Sequence, residues 1–289
     1  MSDSVIRIEP RQHDIGGGLV VRRALPHLLA RSVGPFVFFD EFGPVQVVPG
    51  KGTDVRPHPH IGLATVTYLL AGAMVHRDSL GTVQEIRPGD VNLMSAGRGI
   101  VHSERGTEEA HAHGQYLHGL QTWIALPQTL QESEPWFRHY PGTELPRLQR
   151  PGVNLHLLMG RAYGAVSPVQ APSPTLYVML DAEVGAVHEI EADYAERALY
   201  VIAGEIEIAG EIIGKNELAV LPPGAAHLRA RDASRVALVG GDALDGPRHL
   251  WWNFVASTRE RIEQAKQDWR EQRFPPVPDE TEFIPLPEH

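Results

Sequence analysis

The chain has no cysteine among its 289 residues. A disulfide framework, a thiolate zinc site and a cysteine nucleophile are therefore excluded, and any metal must be held by nitrogen and oxygen. No run of about 18 apolar residues occurs, so no transmembrane helix and no membrane role are expected. The opening MSDSVIRIEPRQHDIGGG is polar and lacks the apolar segment of a secretory signal, which makes the cytoplasm the expected compartment. Positive charge is scarce: 26 Lys and Arg stand against 36 Asp and Glu, a formal net charge of -10. Lys and Arg contacts to phosphate supply most non-specific nucleic-acid affinity. With no dense Lys/Arg run, direct nucleic-acid binding is not expected. A P-loop and a Gly-x-Ser-x-Gly elbow are also missing, and Gly97-Arg-Gly99 is too short for a dinucleotide fingerprint.

What is present reads as an all-β chain long enough for two domains. Its 28 Gly and 24 Pro fall between short apolar runs, as turns between strands would. Strands are expected at Phe36-Val-Phe-Phe39, 62–71, 74–78, 91–94, 100–104 and 117–126. Residues 127–151 hold five prolines, whose fixed φ and missing N–H make this a connector. The expected boundary lies near residue 135, giving domains 1–135 and 136–289. Strand patterns resume from Val153, with candidates at 176–180, 198–202, 206–208 and 218–221. Ser257-Thr-Arg-Glu260 has capping-box form, with Ser257 as the cap. Ile262, Ala265 and Trp269 follow at helical spacing, so 257–272 reads as an amphipathic helix docked on the sheets. Residues 275–289 are Pro-rich and expected to be extended.

The halves resemble each other. Thr67-Tyr-Leu-Leu-Ala-Gly72 is similar to Leu199-Tyr-Val-Ile-Ala-Gly204, and 93–102 to 218–227, so a duplicated barrel is expected.

Two pairs carry the chemistry. His58-Pro-His60 opens the long strand and His102-Ser-Glu104 lies on a later one. Residues i and i+2 of a strand project to one face. Adjacent strands would thus converge three imidazoles and one carboxylate inside the barrel, a set suited to one divalent transition metal. Four ligands leave open positions on a six-coordinate ion. Sliding the first half onto the second places Ile190 and Ala192 opposite His58 and His60, His227 opposite His102, and Arg229 opposite Glu104. The second half is therefore not expected to bind metal, and His227 is read as a leftover or a hydrogen-bonding core residue. His111-Ala-His113 sits among Glu108 and Glu109 and reads as solvated. His118 is a candidate support for the ligands, His76 a wall residue, and Tyr68 and Trp123 core aromatics.

At this point the sequence resembles the pirin family of the cupin superfamily. The resemblance is carried by Val20-Val-Arg-Arg23, 35–42, His58-Pro-His60, Arg87-Pro-Gly-Asp90, Met94-Ser-Ala-Gly-Arg-Gly-Ile-Val-His-Ser-Glu104 and 119–127. It implies two cupin (double-stranded β-helix, jelly-roll) barrels face to face, with the metal in the N-terminal one. The family's ligands map onto His58, His60, His102 and Glu104, with Fe(II) as the first expectation and Mn, Ni, Cu, Co or Zn as alternatives. Many pirins continue His-Pro-His with Arg-Gly-Phe-Glu, where this chain has Ile61-Gly-Leu-Ala64.

The resemblance implies two functions. One is a metal-dependent dioxygenase, like quercetin 2,3-dioxygenase, opening a flavonol-type ring with O2, with Glu104 accepting the substrate proton. The alternative is a metal-dependent redox sensor or transcriptional co-regulator acting through protein contacts.

Overall fold

The β-branched runs form antiparallel strands, because side chains that fit a pleated surface alternate across it. The structure, a computed structural model, describes residues 4–15 and 19–288; residues 1–3 and 16–18 of the polar N-terminal stretch and His289 of the tail lie outside them. The chain divides into two compact units, each assembled from three segments. One comprises His13–Val21, Glu41–Gly142 and Asp245–His289; the other comprises Met1–Gln12, Arg22–Asp40 and Thr143–Leu244.

In the first of these, a four-stranded sheet runs Val55–His60, Ile100–Gly106, Met74–Asp78, Val83–Ile86. A second sheet places Trp136–Tyr140, Val91–Ser95, Leu63–Ala71 and Gln115–Ala125 side by side. Met74 and Ile86 from the former pack with Leu69, Leu117 and Phe42 from the latter in one core. The other unit repeats the plan. Its four-stranded sheet runs Val187–Ile190, Ala226–Ala230, Ile206–Ile208, Glu211–Ile213, in the same order of pairing. An aliphatic core cluster there includes Ile190, Leu199, Leu228 and Leu238. The cupin-type, mostly β architecture is thus the expected one.

Three details depart from the sequence reading. Residues 127–151 contain two strands, Trp136–Tyr140 and Arg147–Arg150. The prolines stand outside these strands, and Trp136–Tyr140 completes the sheet edge beside Val91–Ser95. The first unit accordingly extends past residue 135 to Gly142. The C-terminal helix is Arg259–Arg270, and its cap is Thr258, whose side chain accepts the Arg261 N–H. Ser257 is drawn off instead: its N–H donates to Gln131 Oε1 at 3.0 Å. The helix does dock, through Ile262 and Ala265, but on Ile61, Phe254 and Ala256 in the unit that holds His58. Full burial of a side chain such as Ile262 contributes about 1.5–3 kcal/mol.

Gly62 shows why glycine follows the histidine pair. Its φ is +66°, and a Cβ there would lie 2.0 Å from the Val255 carbonyl oxygen. The bare backbone lets the hairpin His249–Trp251/Phe254–Ala256 approach, and the Val255 N–H donates to the Ile61 carbonyl at 3.1 Å. Among the described residues, no helix is long and apolar enough to cross a membrane.

Candidate metal centre

Val55–His60 and Ile100–Gly106 are antiparallel neighbours, with His58 opposite His102 and His60 opposite Ile100. Alternation along each strand turns all three histidines to one face. One ring nitrogen from each of His58, His60 and His102 lies within 4.8 Å of the other two. The rings are buried, at 7%, 1% and 1% exposure. Burial, with repulsion among the rings, holds His60 and His102 neutral well below the usual imidazole range and lowers His58 to about 4.

The donor set fits a metal. His58 Nδ1 lies 2.9 Å from the Arg56 carbonyl, and His60 Nδ1 lies 3.1 Å from the Asn253 carbonyl. A carbonyl only accepts, so each Nδ1 carries the ring proton and each Nε2 keeps its lone pair. His60 Nε2 faces His102 Nε2 at 3.1 Å. Buried, neutral and converging imidazole nitrogens are what a divalent cation bridges well. The three rings could hold one ion.

Glu104 is placed differently. The ladder shifts register between His102 and Glu104, so that Glu104 stands opposite Val55. Its carboxylate is not within the three-histidine group; its Oε1 accepts from Gln121 Nε2 at 3.1 Å. Gln121 is fixed in turn by Thr67 Oγ1, which donates to its Oε1 at 2.7 Å. Burial pushes the Glu104 carboxyl up to about 7, while the Gln121 hydrogen bond pulls the other way.

Other expected residues fall out as follows. Trp123 does border the site, edge-on to His60 with centroids 5.2 Å apart. His118 turns away to Glu41, 2.6 Å from its Nε2. His111 and His113 lie on a short helix, Glu108–His113, rather than a loop, and His111 Nε2 lies 3.5 Å from Asp54. His227 is exposed, not a core residue. It faces outward between the buried Ala226 and Leu228, and it is Leu228 that the ladder pairs with His188 on the inner face. His76 is more than a wall residue, since it bonds both Asp78 and His102. Its signal was present, because His76-Arg-Asp78 has the same i, i+2 form as the ligand pairs.

The family model described as Pirin matches residues 18–124, and that of the Pirin C-terminal cupin domain matches residues 177–275. The chain belongs to the pirin family. It is 45% identical to a pirin-like protein of Caulobacter vibrioides, over 97% of this chain and 98% of that one. It is 34% identical to Homo sapiens pirin, over 90% of this chain and 89% of that one. Among solved structures, a crystal structure of quercetin 2,3-dioxygenase from Acinetobacter baumannii has TM-score 0.91 and 35% identity, covering 98% of this chain and 95% of that one. The Escherichia coli bacterial pirin YhhW, solved in complex with nickel(II), shares the fold at TM-score 0.66 and 18% identity, covering 83% of this chain and all of that one. At the pirin-family departure Ile61-Gly-Leu-Ala64, Ile61 packs with Phe254 and Ile262, and Ala64 is fully buried.

Proposed function

We propose that this chain is a metal-dependent dioxygenase that opens a flavonol-type ring with O2, using one divalent metal held by His58, His60 and His102 with Glu104 as the fourth ligand. The observation that carries the proposal is the convergence of three buried imidazole nitrogens, from His58, His60 and His102. The likeness to the Acinetobacter quercetin 2,3-dioxygenase supports the substrate class. Fe(II) is the first choice of metal; nickel, held by the bacterial pirin YhhW, is a close second, and Mn, Cu, Co or Zn also suit the donors.

Bound there, the metal supplies Lewis acidity toward an enediol oxygen and an electron path to O2. The protein's part follows from its own residues. The Arg56 and Asn253 carbonyls orient His58 and His60, so the donors need no rearrangement when the site fills. Glu104, a buried carboxyl with one oxygen held by Gln121, would accept the substrate hydroxyl proton. Gln121 steers one carboxylate oxygen and leaves the other for that task. Trp123 walls one side of His60 and keeps bulk water from it.

The test joins metal analysis to turnover. Untagged protein is assayed for bound metal and for oxygen uptake with quercetin, beside His58→Ala and Glu104→Ala. The proposal expects one metal per chain, lost together with oxygen uptake in His58→Ala. Bound metal with no oxygen consumed by any flavonol would discard the enzyme and favour a metal-dependent sensor or co-regulator, read out as redox-dependent partner affinity.

A further inference from the structure

We propose that Asp78 and His76 form a positioning relay that dictates which nitrogen of His102 carries its proton, and so keeps His102 Nε2 bare and aimed into the triad. The purpose of the relay rests on the metal reading above; the relay itself is a property of the metal-free chain.

Met74–Asp78 is the neighbour of Ile100–Gly106 on the side away from His58, with Asp78 opposite His102 and His76 opposite Glu104. Asp78 is fully buried. Its Oδ1 accepts the backbone N–H of Leu80 at 2.9 Å and of Thr82 at 3.0 Å. Its Oδ2 lies 2.9 Å from His76 Nε2. An aspartate carboxylate only accepts, so His76 must donate from Nε2. A neutral imidazole has a single N–H, which leaves His76 Nδ1 as an acceptor. That atom lies 3.4 Å from His102 Nδ1. His102 therefore donates from Nδ1, and its Nε2 retains the lone pair that faces His60 Nε2. With one proton on the His76 ring, the reverse polarity would require Asp78 to donate; otherwise it would take a second proton on His76, which the ring spectra below would show. Phe137 stacks on His76 with centroids 4.3 Å apart and planes 18° from parallel, which fixes the ring's plane.

His58 and His60 reach the same tautomer through backbone carbonyls. Only His102 depends on a chain of side chains for it, so its donor nitrogen can be reversed by substitution. In Asp78→Asn the amide oxygen still accepts from Leu80 and Thr82, while the amide NH2 faces His76. Each proton along the relay must then sit on the other nitrogen, and His102 Nε2 becomes N–H.

Nitrogen-15 NMR of the metal-free protein reads the tautomer of each ring, and cobalt(II), followed by its d–d absorption, reads affinity. The wild type is expected to show His102 protonated at Nδ1, and Asp78→Asn to show it protonated at Nε2 with affinity about 10–100-fold weaker. His76→Phe keeps the stack on Phe137, removes the acceptor and is expected to lose a similar factor. His76→Gln offers an amide oxygen to His102 and an amide N–H to Asp78, and is expected to recover most of the affinity, which a purely structural role for the ring would not predict. A wild-type His102 protonated at Nε2, or an Asp78→Asn variant with unchanged tautomer and unchanged cobalt affinity, overturns the relay. Relay tautomers in a wild type that takes up no divalent metal would uphold the relay and overturn the metal reading.

Discussion

Glu104 is the residue at which binding and stability pull apart. Its carboxyl, pushed up to about 7 by burial, must lose a proton to become a ligand. Affinity of the metal-free protein for a divalent ion should therefore climb with pH below 7, by up to about tenfold per unit, and level off above it. His58, at about 4, adds no slope in that range. Glu104→Gln should flatten the profile and weaken binding at pH 8. The sign for folding is opposite. A folded pKa above the unfolded value of 4.5 means stability that is full below 4.5 and lost as pH rises through 7, so the metal-free Glu104→Gln protein should melt higher than wild type at pH 8. Titration calorimetry and melting curves from pH 5.5 to 8.5 check both, and a pH-independent wild-type affinity would remove Glu104 from the ligand set. The histidine triad was legible because strand alternation converts His-x-His into a shared face. The partners that set its tautomers were legible only in part: His76-Arg-Asp78 shares the i, i+2 form, but nothing in the sequence aims it at His102. His76 acts on a residue 26 positions away, and the Asn253 carbonyl reaches His60 across 193, with no side-chain signature at all.

The C-terminal tail, read from sequence as merely extended, holds both ligand-bearing strands from outside. The Ile284 N–H donates to the Pro57 carbonyl, one residue before His58, at 2.8 Å. Trp269 Nε1 of the last helix donates to the Ile284 carbonyl at 3.0 Å and seats the tail. Glu280 takes the Ser103 hydroxyl and the Arg105 guanidinium, either side of Glu104 in the chain. Burial opposes its charge, but those hydrogen bonds and the Arg105 and Arg77 charges outweigh it and keep its carboxyl below the usual range. A depressed folded pKa contributes stability that is present above 4.5 and lost as pH falls through the folded value. Glu280→Gln should thus lower the melting temperature at pH 7 by several degrees, since breaking a part-buried charged hydrogen bond costs about 1–3 kcal/mol. The gap should close on acidification below pH 4.5, and a gap of constant size would refute the assignment. Such a contact could not be read in the sequence, because a Pro-rich segment has no periodicity and the partners of Glu280 lie 175 and 177 residues upstream. The edge strand Trp136–Tyr140 was missed for a related reason: its flanking prolines suggested a connector, although each stands just outside the pairing.

At the scale of the whole molecule, duplication left two similar ladders and, among the described residues, one histidine cluster. The Gly-rich turns and β-branched runs made the repeat legible, but not its register, because sequence similarity at 93–102 and 218–227 cannot resolve a one-residue offset that reverses every side chain. In the second unit His188 and Leu228 face each other and Ile190 faces Ala226, the same local arrangement as His58 with His102 and His60 with Ile100. One potential ligand is thus in place, at 8% exposure, while Ile190 and Leu228 are sealed in aliphatic core at 0% and 1%. The wild type should hold one metal equivalent per chain. Ile190→His with Leu228→His should complete a second triad around His188. Without metal, two imidazoles buried among aliphatic side chains should destabilise this variant by several kcal/mol, since buried polar groups lacking partners cost roughly 1–3 kcal/mol each beside the lost apolar packing. Zinc or cobalt, binding the folded form alone, should recover that loss and raise the stoichiometry to two. Elemental analysis and melting curves with and without metal decide it: a variant that folds and still takes up one equivalent would show that matching rungs do not carry matching donor geometry.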